Sequence, residues 1–269
     1  MTERIAFIGF GEAGATFARA AHLAPCTSAF DVDPARTEAI SRAGLEPGAS
    51  ARSALCGASA VLSLVTAGQA LAAARDYAPL LTKGALWLDM NSVAPGTKRA
   101  AALAIETAGA RYVDVSVLAP VVPARLAVPI LVAGPHADAG CAALRTVGFT
   151  NIRVVGDEVG RASAIKMIRS VMVKGIEALT DEMMSAAEAA GVAEEVLSSL
   201  DASERAQGWT ERAAYNRERM ATHGLRRAEE MEESVETLQS FGIDPVMTRG
   251  TVLRQRAAAT RPPKARNAA

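Results

Sequence analysis

The chain has 269 residues, half of them apolar, and its 29 basic residues balance its 29 acidic ones. With aromatic residues at only 4%, this balance argues against a basic surface that stacks on nucleic-acid bases. No apolar run reaches the ~20 residues of a membrane span, and the first predicted strand begins too early to leave room for a signal peptide. Three widely spaced cysteines favour reduced thiols over disulfides or a metal site, so we expect a cytoplasmic protein that acts on a small molecule.

The first predicted strand ends in a glycine-rich turn and leads directly into a helix over 12–22. Gly9, Gly11 and Gly14 have the G-x-G-x-x-G spacing. The first glycine permits a tight turn, the second lets backbone N–H groups approach a pyrophosphate, and the third allows close packing of helix on strand. The helix also points its positive N-terminus at the phosphates. The pattern predicts a dinucleotide site whose loop comprises Gly9, Phe10, Gly11, Glu12, Ala13 and Gly14.

The second predicted strand, at 28–33, ends in carboxylates. Asp31 lies about 20 residues beyond the second glycine, where a dinucleotide-binding unit places the acid that hydrogen-bonds the adenosine ribose; Val32 follows it. Asp33 precedes a proline and is explained by helix capping. An acid at this position favours NAD because it repels a 2′-phosphate, whereas the nearby Arg36 could accept that phosphate and leaves NADP open.

Strands and helices then alternate to about residue 156. We predict strands at 60–65, 85–90, 112–117, 130–133 and 152–155, with helices at 69–80, 95–109 and 137–147. The alternation predicts right-handed crossovers and a mainly parallel sheet, that is, an α/β Rossmann-type domain over residues 1–157. Ligands of such sheets bind beyond the carboxyl ends of the strands, which directs attention to Thr66, Asn91, Ser92 and 116–125.

From residue 158 onward the pattern is helical, with helices predicted at 160–190, 193–206, 210–222, 225–240 and 245–258. We assign residues 158–260 to an all-α substrate and dimerisation domain, with Gly191 ending its first helix and Asp244-Pro245 starting its last. So thin a helical layer would leave apolar surface uncovered in a monomer, so we expect a homodimer. The tail, 261–269, lacks core-forming residues and is predicted to be disordered.

Hydride transfer to or from a carbon that bears oxygen needs a group that exchanges the hydroxyl proton. Lys166 is the best candidate, because helical spacing puts it on one face with Ser163 and Ser170 at the start of the helical half. The chain has 24 Arg and only 5 Lys, so a lysine is less expected as surface filler. A solvated helix lysine is the alternative reading. His223, in a cluster with Arg226 and Arg227, is a candidate substrate ligand.

Four segments resemble the β-hydroxyacid dehydrogenases, a family that includes 3-hydroxyisobutyrate dehydrogenase and the 6-phosphogluconate dehydrogenase-like proteins. They are 9–14, 88–95, 113–120 and 160–170, in the order that the family shows. The resemblance covers essentially the whole chain, and the helical half looks closest to a poorly characterised phosphogluconate-dehydrogenase-like subgroup. It implies an NAD(P)-dependent dehydrogenase for a β-hydroxy acid or a related polar alcohol.

By this resemblance Lys166 is the catalytic acid/base. Leu64, Val65 and Thr66 fall where the family wraps the cofactor after a central strand, and Ser92 matches a hydroxyl residue close to the nicotinamide. We expect NAD as the cofactor, with NADP possible, and no metal.

Two departures from the family bear on the substrate. Where the typical enzymes carry Ser-Gly-Gly to receive a carboxylate, this chain has Leu118, Ala119 and Pro120. Where they carry Asn four residues after the lysine, it has Ser170, preceded by Arg169. We expect an anionic small-molecule substrate, for which a replacement binding site could come from Arg169, His223, Arg226 and Arg227.

Two other functions stay open at this point. The first is imine or ketone reduction on the same architecture; Lys166 counts against it, since related imine reductases usually lack lysine at the matching position. The second is a nucleotide-binding sensor that has lost catalysis, which the altered Ser-Gly-Gly segment motivates.

Overall fold

The computed structural model describes residues 4–21, 23, 26–203 and 207–260. Contacts divide the chain into two compact units, Met1–Ser170 and Val171–Ala269. The domain bounds drawn from the sequence, 1–157 and 158–260, stay a prediction. The tail predicted to be disordered, 261–269, lies outside the described residues.

In the part of the first unit that the structure describes, one sheet contains eight strands. These are β1 (Ile5–Ile8), β2 (Ser28–Phe30), β3 (Glu46–Pro47), β4 (Ala60–Ser63), β5 (Leu86–Asp89), β6 (Arg111–Val117), β7 (Ile130–Ala133) and β8 (Ile152–Val154). Their order is β3-β2-β1-β4-β5-β6-β7-β8, and every neighbouring pair is parallel except β6 and β7. The predicted fold class is thereby confirmed. The order reverses between β1 and β4, where an open α/β sheet forms its ligand crevice.

Helices of the first unit connect these strands. They are α1 (Glu12–Ala20), α2 (Thr37–Arg42), α3 (Ala51–Leu55), α4 (Ala70–Tyr77), α5 (Pro95–Thr107), α6 (Ala137–Val147) and the start of α7 (Arg161–Ala190). The capping pattern at Asp33 indicated a helix start before α2 without giving its bounds, and α3 and β3 were not predicted, because they are too short for a clear periodicity.

Two apolar clusters cover the two faces of the sheet. Phe7, Leu62 and Leu88 belong to one cluster, and Val61 and Trp87 belong to the other. Alternate residues of a strand point to opposite faces, so a strand buried on both sides reads as a continuous apolar run. Burial of each such side chain stabilises the fold by about 1.5–3 kcal/mol. The continuous apolar runs that this burial requires allowed the central strands to be located from sequence.

The antiparallel pairing of β7 with β6 was not predicted. Val115 lies opposite Val132 in this pair, and the Leu118 N–H donates to the Pro129 carbonyl at 2.9 Å. Parallel neighbours need a crossover of a dozen or more residues, usually a helix, whereas the segment between these strands contains only a single 3-10 turn at 125–127. The chain therefore doubles back instead of crossing over.

The second unit contains the rest of α7, then α8 (Ala193–Ser203), α9 (Trp209–Ser240) and α10 (Val246–Ala259). Gly191 follows α7 with φ +70°, as expected of a residue that ends a helix. The Glu182 carboxylate accepts from the N–H groups of Met247 at 2.6 Å and Thr248 at 2.8 Å, and so caps α10. None of the described helices combines the length and the hydropathy needed to cross a membrane.

The prediction of two helices at 210–222 and 225–240 was wrong, because α9 is continuous through Gly224. A Cβ added to Gly224 would lie 2.4 Å from the Gln255 carbonyl oxygen of α10. The glycine therefore lets two helices approach closely, and does not end one.

We expect Gly224→Ala to destabilise the protein by about 1–3 kcal/mol, because the added methyl group must push α10 away. Thermal or urea unfolding measures the change. Gly250→Ala is the matched control, since Gly250 lies in α10 with nothing within 4 Å of the added Cβ. That control should be neutral or slightly stabilising, and equal destabilisation by both variants would contradict the packing argument.

Candidate functional site

The turn between β1 and α1 has the shape of a phosphate cradle. A Cβ on Gly9, at φ +90°, would lie 2.5 Å from the Leu64 carbonyl oxygen, and one on Gly14 would lie 2.6 Å from the Gly9 carbonyl oxygen. At Gly11 nothing lies within 4 Å of the added Cβ. Gly11 is also the N-cap of α1 and offers no side-chain acceptor to the first-turn N–H groups. The turn thus fits a dinucleotide: two glycines pack and one faces open space at a positive helix end.

The end of β2 holds this turn in place. The half-buried Asp31 carboxylate accepts from the Phe10 N–H at 2.6 Å and from the Asp33 N–H at 2.9 Å. Asp33 in turn accepts from the Ala35 N–H at 3.0 Å, the capping contact that the sequence suggested, and lies 3.4 Å from the Arg36 guanidinium. Asp31 therefore shapes the glycine loop, a role the sequence analysis had not assigned to it.

A cleft of about 440 Å³ opens beside the glycine loop, entirely within the first unit. Its lining includes seven of the residues predicted to bind cofactor: Gly9, Gly11, Asp31, Val32, Leu64, Val65 and Thr66. The volume is in the range of small-molecule and cofactor sites.

The same cleft is lined by residues that the sequence analysis missed. Phe30 and Tyr77 pack edge to face, with ring centroids 6.4 Å apart, and Gln69 and Asp76 lie beside them. Burial, with the carboxylates of Asp76 and Asp31, raises the pKa of the Tyr77 phenol above its ordinary value. The Ala-rich helix α4 carried no motif that would have marked this wall as functional.

Other residues of the predicted cofactor set lie outside the lining of this cleft. The Phe10 side chain is in the core, and Asn91 is buried just beyond β5. Glu12 and Ala13 form the first turn of α1. Their contribution to cofactor binding stays a prediction.

Lys166 and Ser92 meet although 74 residues separate them in the chain. The Lys166 ammonium donates to the Ser92 hydroxyl at 2.5 Å. Lys166 lies in the second turn of α7, and Ser92 follows the carboxyl end of β5. The pair therefore lies at the sheet edge where this fold presents its ligands.

The residues predicted to bind substrate fall into two sets. In the first unit, the Arg169 guanidinium donates to the Leu118 carbonyl at 3.1 Å, which connects α7 to the segment that replaces Ser-Gly-Gly. The half-buried Ala119 and the exposed Pro120 follow Leu118, and Ser170 is half-buried.

In the second unit, the exposed His223 and the half-buried Arg227 lie on α9, where Arg226 pairs with Glu230. Substrate contact by any residue of either set stays a prediction.

A buried polar network lies beneath Ser92. Lys98 has no solvent exposure, and its ammonium lies 3.1 Å from the Asp89 carboxylate and 3.4 Å from the Asp114 carboxylate. Tyr112 donates its hydroxyl to Asp89 at 2.6 Å. The pKa of the Tyr112 phenol is raised well above its ordinary value, mainly by burial and also by the negative charge and hydrogen bond of Asp89. The hydroxyl therefore stays protonated and remains a donor.

Asp114 connects this network to the start of α7. Its carboxylate accepts from the Gly160 N–H at 3.0 Å and the Ser163 N–H at 3.2 Å. The Ser163 hydroxyl donates to the Val93 carbonyl. This network was not predicted from sequence, because Lys98, in the middle of an Ala-rich helix, has the pattern of a surface residue. The rarity of lysine in this chain was the available signal.

Comparisons with known proteins agree with this geometry. The NAD binding domain of 6-phosphogluconate dehydrogenase matches residues 4–145, and a domain of unknown function, DUF1932, matches residues 187–258. A conserved hypothetical protein of known structure from Sinorhizobium meliloti 1021 is 39% identical, with a TM-score of 0.61; the match covers 100% of this chain and 92% of that one.

Two further solved structures are similar. A conserved protein of unknown function, described as structurally similar to 3-hydroxyacid dehydrogenases, is 31% identical, with a TM-score of 0.60 and coverage of 95% of this chain and 96% of that one. The imine reductase of Streptomyces aurantiacus has a TM-score of 0.74 at 19% identity, with coverage of 95% and 94% respectively. At that identity the reductase shows a common fold only.

The resemblance predicted from sequence is confirmed. The domain match assigns NAD binding to the first unit, and the fold is that of the 3-hydroxyacid dehydrogenase-like oxidoreductases. The chain belongs to the 6-phosphogluconate dehydrogenase-like family of NAD-binding proteins, with a DUF1932 domain in its helical half.

Proposed function

We propose that the protein is an NAD(P)-dependent dehydrogenase that oxidises a β-hydroxy acid or a related polar alcohol, with Lys166 as general acid/base. The observation that carries the proposal is the 2.5 Å contact between Lys166 and Ser92, at the same sheet edge as the glycine loop. A general base must lie within hydrogen-bond reach of the proton it removes, directly or through one intervening group.

The two side chains divide the proton transfer between them. Ser92 accepts from Lys166 through its oxygen and keeps its own O–H to donate to a substrate oxygen. This arrangement fits reduction, in which the protonated Lys166 donates to the Ser92 oxygen and the Ser92 O–H protonates the substrate oxygen. In oxidation both hydrogen bonds reverse: the Ser92 oxygen accepts the substrate hydroxyl proton, and the Ser92 proton passes to the unprotonated amine of Lys166. Nicotinamide, when bound, supplies the hydride acceptor or donor.

The charges around the cleft support NAD over NADP. Asp31, Asp33 and Asp76 all line it, and the Arg36 guanidinium lies 3.4 Å from the Asp33 carboxylate. A 2′-phosphate would meet this negative charge, while a ribose 2′-hydroxyl can donate to it.

Two alternative functions are each favoured by one observation. Imine reduction is favoured by the common fold with the Streptomyces aurantiacus reductase, and Lys166 counts against it. A sensor without catalysis is favoured by the altered segment at Leu118, Ala119 and Pro120.

An activity screen with both cofactors separates the dehydrogenase, the imine reductase and the sensor. The panel contains hydroxy acids and mixtures of ketones with amines. The substrate class that is turned over identifies the enzyme, and saturable NADH binding without turnover identifies the sensor.

We expect Lys166→Ala to lower kcat by about 10²-fold or more, because the proton acceptor is lost, while NADH binding is retained. Steady-state kinetics and NADH fluorescence titration measure the two effects. Lys174→Ala, an exposed lysine farther along the same helix, serves as the control and should keep full turnover. An active Lys166→Ala enzyme would remove the basis for this mechanism.

We expect Asp31→Asn to reduce the ratio of NAD to NADP efficiency by about tenfold, since it removes the charge that repels a 2′-phosphate. The amide keeps an acceptor for only one of the Phe10 and Asp33 N–H groups, so the efficiency with both cofactors should fall as well, and the ratio isolates the effect of charge. The ratio of kcat/KM values for the two cofactors is the measurement. Glu38→Gln makes the same charge change on an exposed helix residue that does not line the cleft. An unchanged ratio in Asp31→Asn would show that this carboxylate does not select the cofactor.

The helical unit supports a homodimer. Large apolar side chains are exposed along α7 and α8, and a groove of about 790 Å³ lies among the helices of this unit. The exposed residues include Val171, Ile176, Leu179, Leu197 and Leu200. Such a surface is covered at low cost by a second copy of the same chain.

Sedimentation equilibrium should therefore give about twice the chain mass of 27.9 kDa. Val171→Glu, which puts a charge on a side chain that is 77% exposed, should shift the equilibrium toward monomer. The control is Lys174→Glu, a charge change at a position that is already polar. A monomeric wild-type protein at micromolar concentration would contradict the assignment.

A further inference from the structure

Lys98 is fully buried, and it has no role in the reaction proposed for Lys166 and Ser92. Lys98 lies within α5 with no solvent exposure, and the Asp89 carbonyl accepts from its ammonium at 2.5 Å. Burying an ion costs several kcal/mol, which neighbouring charges offset only when the geometry is good. Two carboxylates and two backbone carbonyls, those of Asp89 and Val115, provide that geometry here.

One arm of the network ends beside Ser92. Asp89 accepts from the Asn91 backbone N–H at 3.0 Å and from the Asn91 side-chain amide at 2.8 Å, and the same amide donates to the Ser63 hydroxyl at 3.0 Å. Asn91 is the residue immediately before Ser92. The backbone that carries Ser92 is thus anchored to the ends of β4 and β5.

The other arm ends beside Lys166. Asp114 accepts from the N–H groups of Gly160 and Ser163, so its carboxylate caps α7 one turn before Lys166. The Ser163 hydroxyl donates to the carbonyl of Val93, the residue immediately after Ser92. Both neighbours of Ser92 and the helix start that carries Lys166 are therefore connected to the same buried cation.

We propose that Lys98, Asp89 and Asp114, with Ser163, form a positioning cluster that fixes Lys166 against Ser92. The inference rests on the proposed function of Lys166. Proton transfer requires donor and acceptor within hydrogen-bond reach, and a small misplacement of reacting groups lowers turnover steeply. The cluster acts through the backbone on either side of the pair.

Ser163→Ala tests the cluster with minimal disturbance, because it removes one hydroxyl and creates no unpaired charge. We expect kcat to fall about tenfold, with KM for NAD and the NADH dissociation constant unchanged within about twofold. Ser28→Ala is the matched control: Ser28 is also buried in the first unit and donates to a backbone carbonyl, that of Ala54, at 2.6 Å. Its kcat should stay within about twofold of wild type.

Equal losses of kcat in the two serine variants would show that the effect is one of general stability and would overturn the proposal. A Ser163→Ala enzyme with wild-type kcat would overturn it as well.

A second readout does not depend on turnover. The rate of Lys166 acetylation by acetic anhydride, followed by mass spectrometry across pH, reports the surroundings of its amine. Ser163→Ala and Tyr112→Phe should each shift this pH profile, whereas the profiles of the exposed Lys83 and Lys174 stay fixed. Ser28→Ala should leave all three profiles unchanged.

The two readouts separate the two claims. Full turnover by Lys166→Ala would end the proposed mechanism while the acetylation profiles still test the cluster. Unshifted Lys166 profiles in both Ser163→Ala and Tyr112→Phe would end the cluster proposal even if Lys166 is essential for turnover.

Discussion

The structure depends on how buried charge is compensated at the carboxyl edge of the sheet. β5 and β6 are apolar strands that carry Asp89 and Asp114 into a region without solvent, and the Lys98 ammonium lies between the two carboxylates. Backbone N–H groups, an amide and a phenol supply the remaining donors. Without the cation, two negative charges would face each other in a low dielectric, which costs several kcal/mol. Strand ends and the start of α7 are therefore fixed together.

The cofactor side of the same edge follows a similar principle. Asp31 accepts from the Phe10 N–H, so the residue expected to contact the ribose also shapes the glycine loop. If Asp31 binds the ribose as proposed, one carboxylate couples recognition of the adenosine half to the form of the phosphate cradle. The Asp31 carboxylate therefore contributes both to the backbone geometry of the glycine loop and to the charge at the end of β2.

Sequence alone identified what local patterns encode. Continuous apolar runs located the central strands, because a strand covered on both faces has no polar side. The glycine spacing located the loop, because Gly9 and Gly14 meet backbone atoms that leave no room for a Cβ. Ser92 and Lys166 could be paired only through the family resemblance, since nothing local relates positions 74 residues apart.

The features that were not predicted from sequence all depend on residues that are distant in the chain. Lys98 looks like a surface lysine, because its two carboxylates come from distant strands. Gly224 looks like a helix end, because the carbonyl that it packs against belongs to another helix. The direction of β7 depends on how a short connection closes in three dimensions, which side-chain periodicity does not report.

The reversal at β7 has an evolutionary consequence. Because β6 and β7 run in opposite directions, the whole connection between them emerges at the edge that holds Ser92 and Lys166, and the bond from Leu118 to Pro129 closes its base. The exposed residues inside that closed base, such as Val122 and Ala127, can be replaced without changing the sheet register, whereas Leu126 and the buried Val128 pack against the core. Doubling such a loop costs only about 0.6 kcal/mol of closure entropy. The fold therefore places a variable surface segment at the same sheet edge as the Ser92–Lys166 contact, so residues near that contact can diverge while the core stays the same.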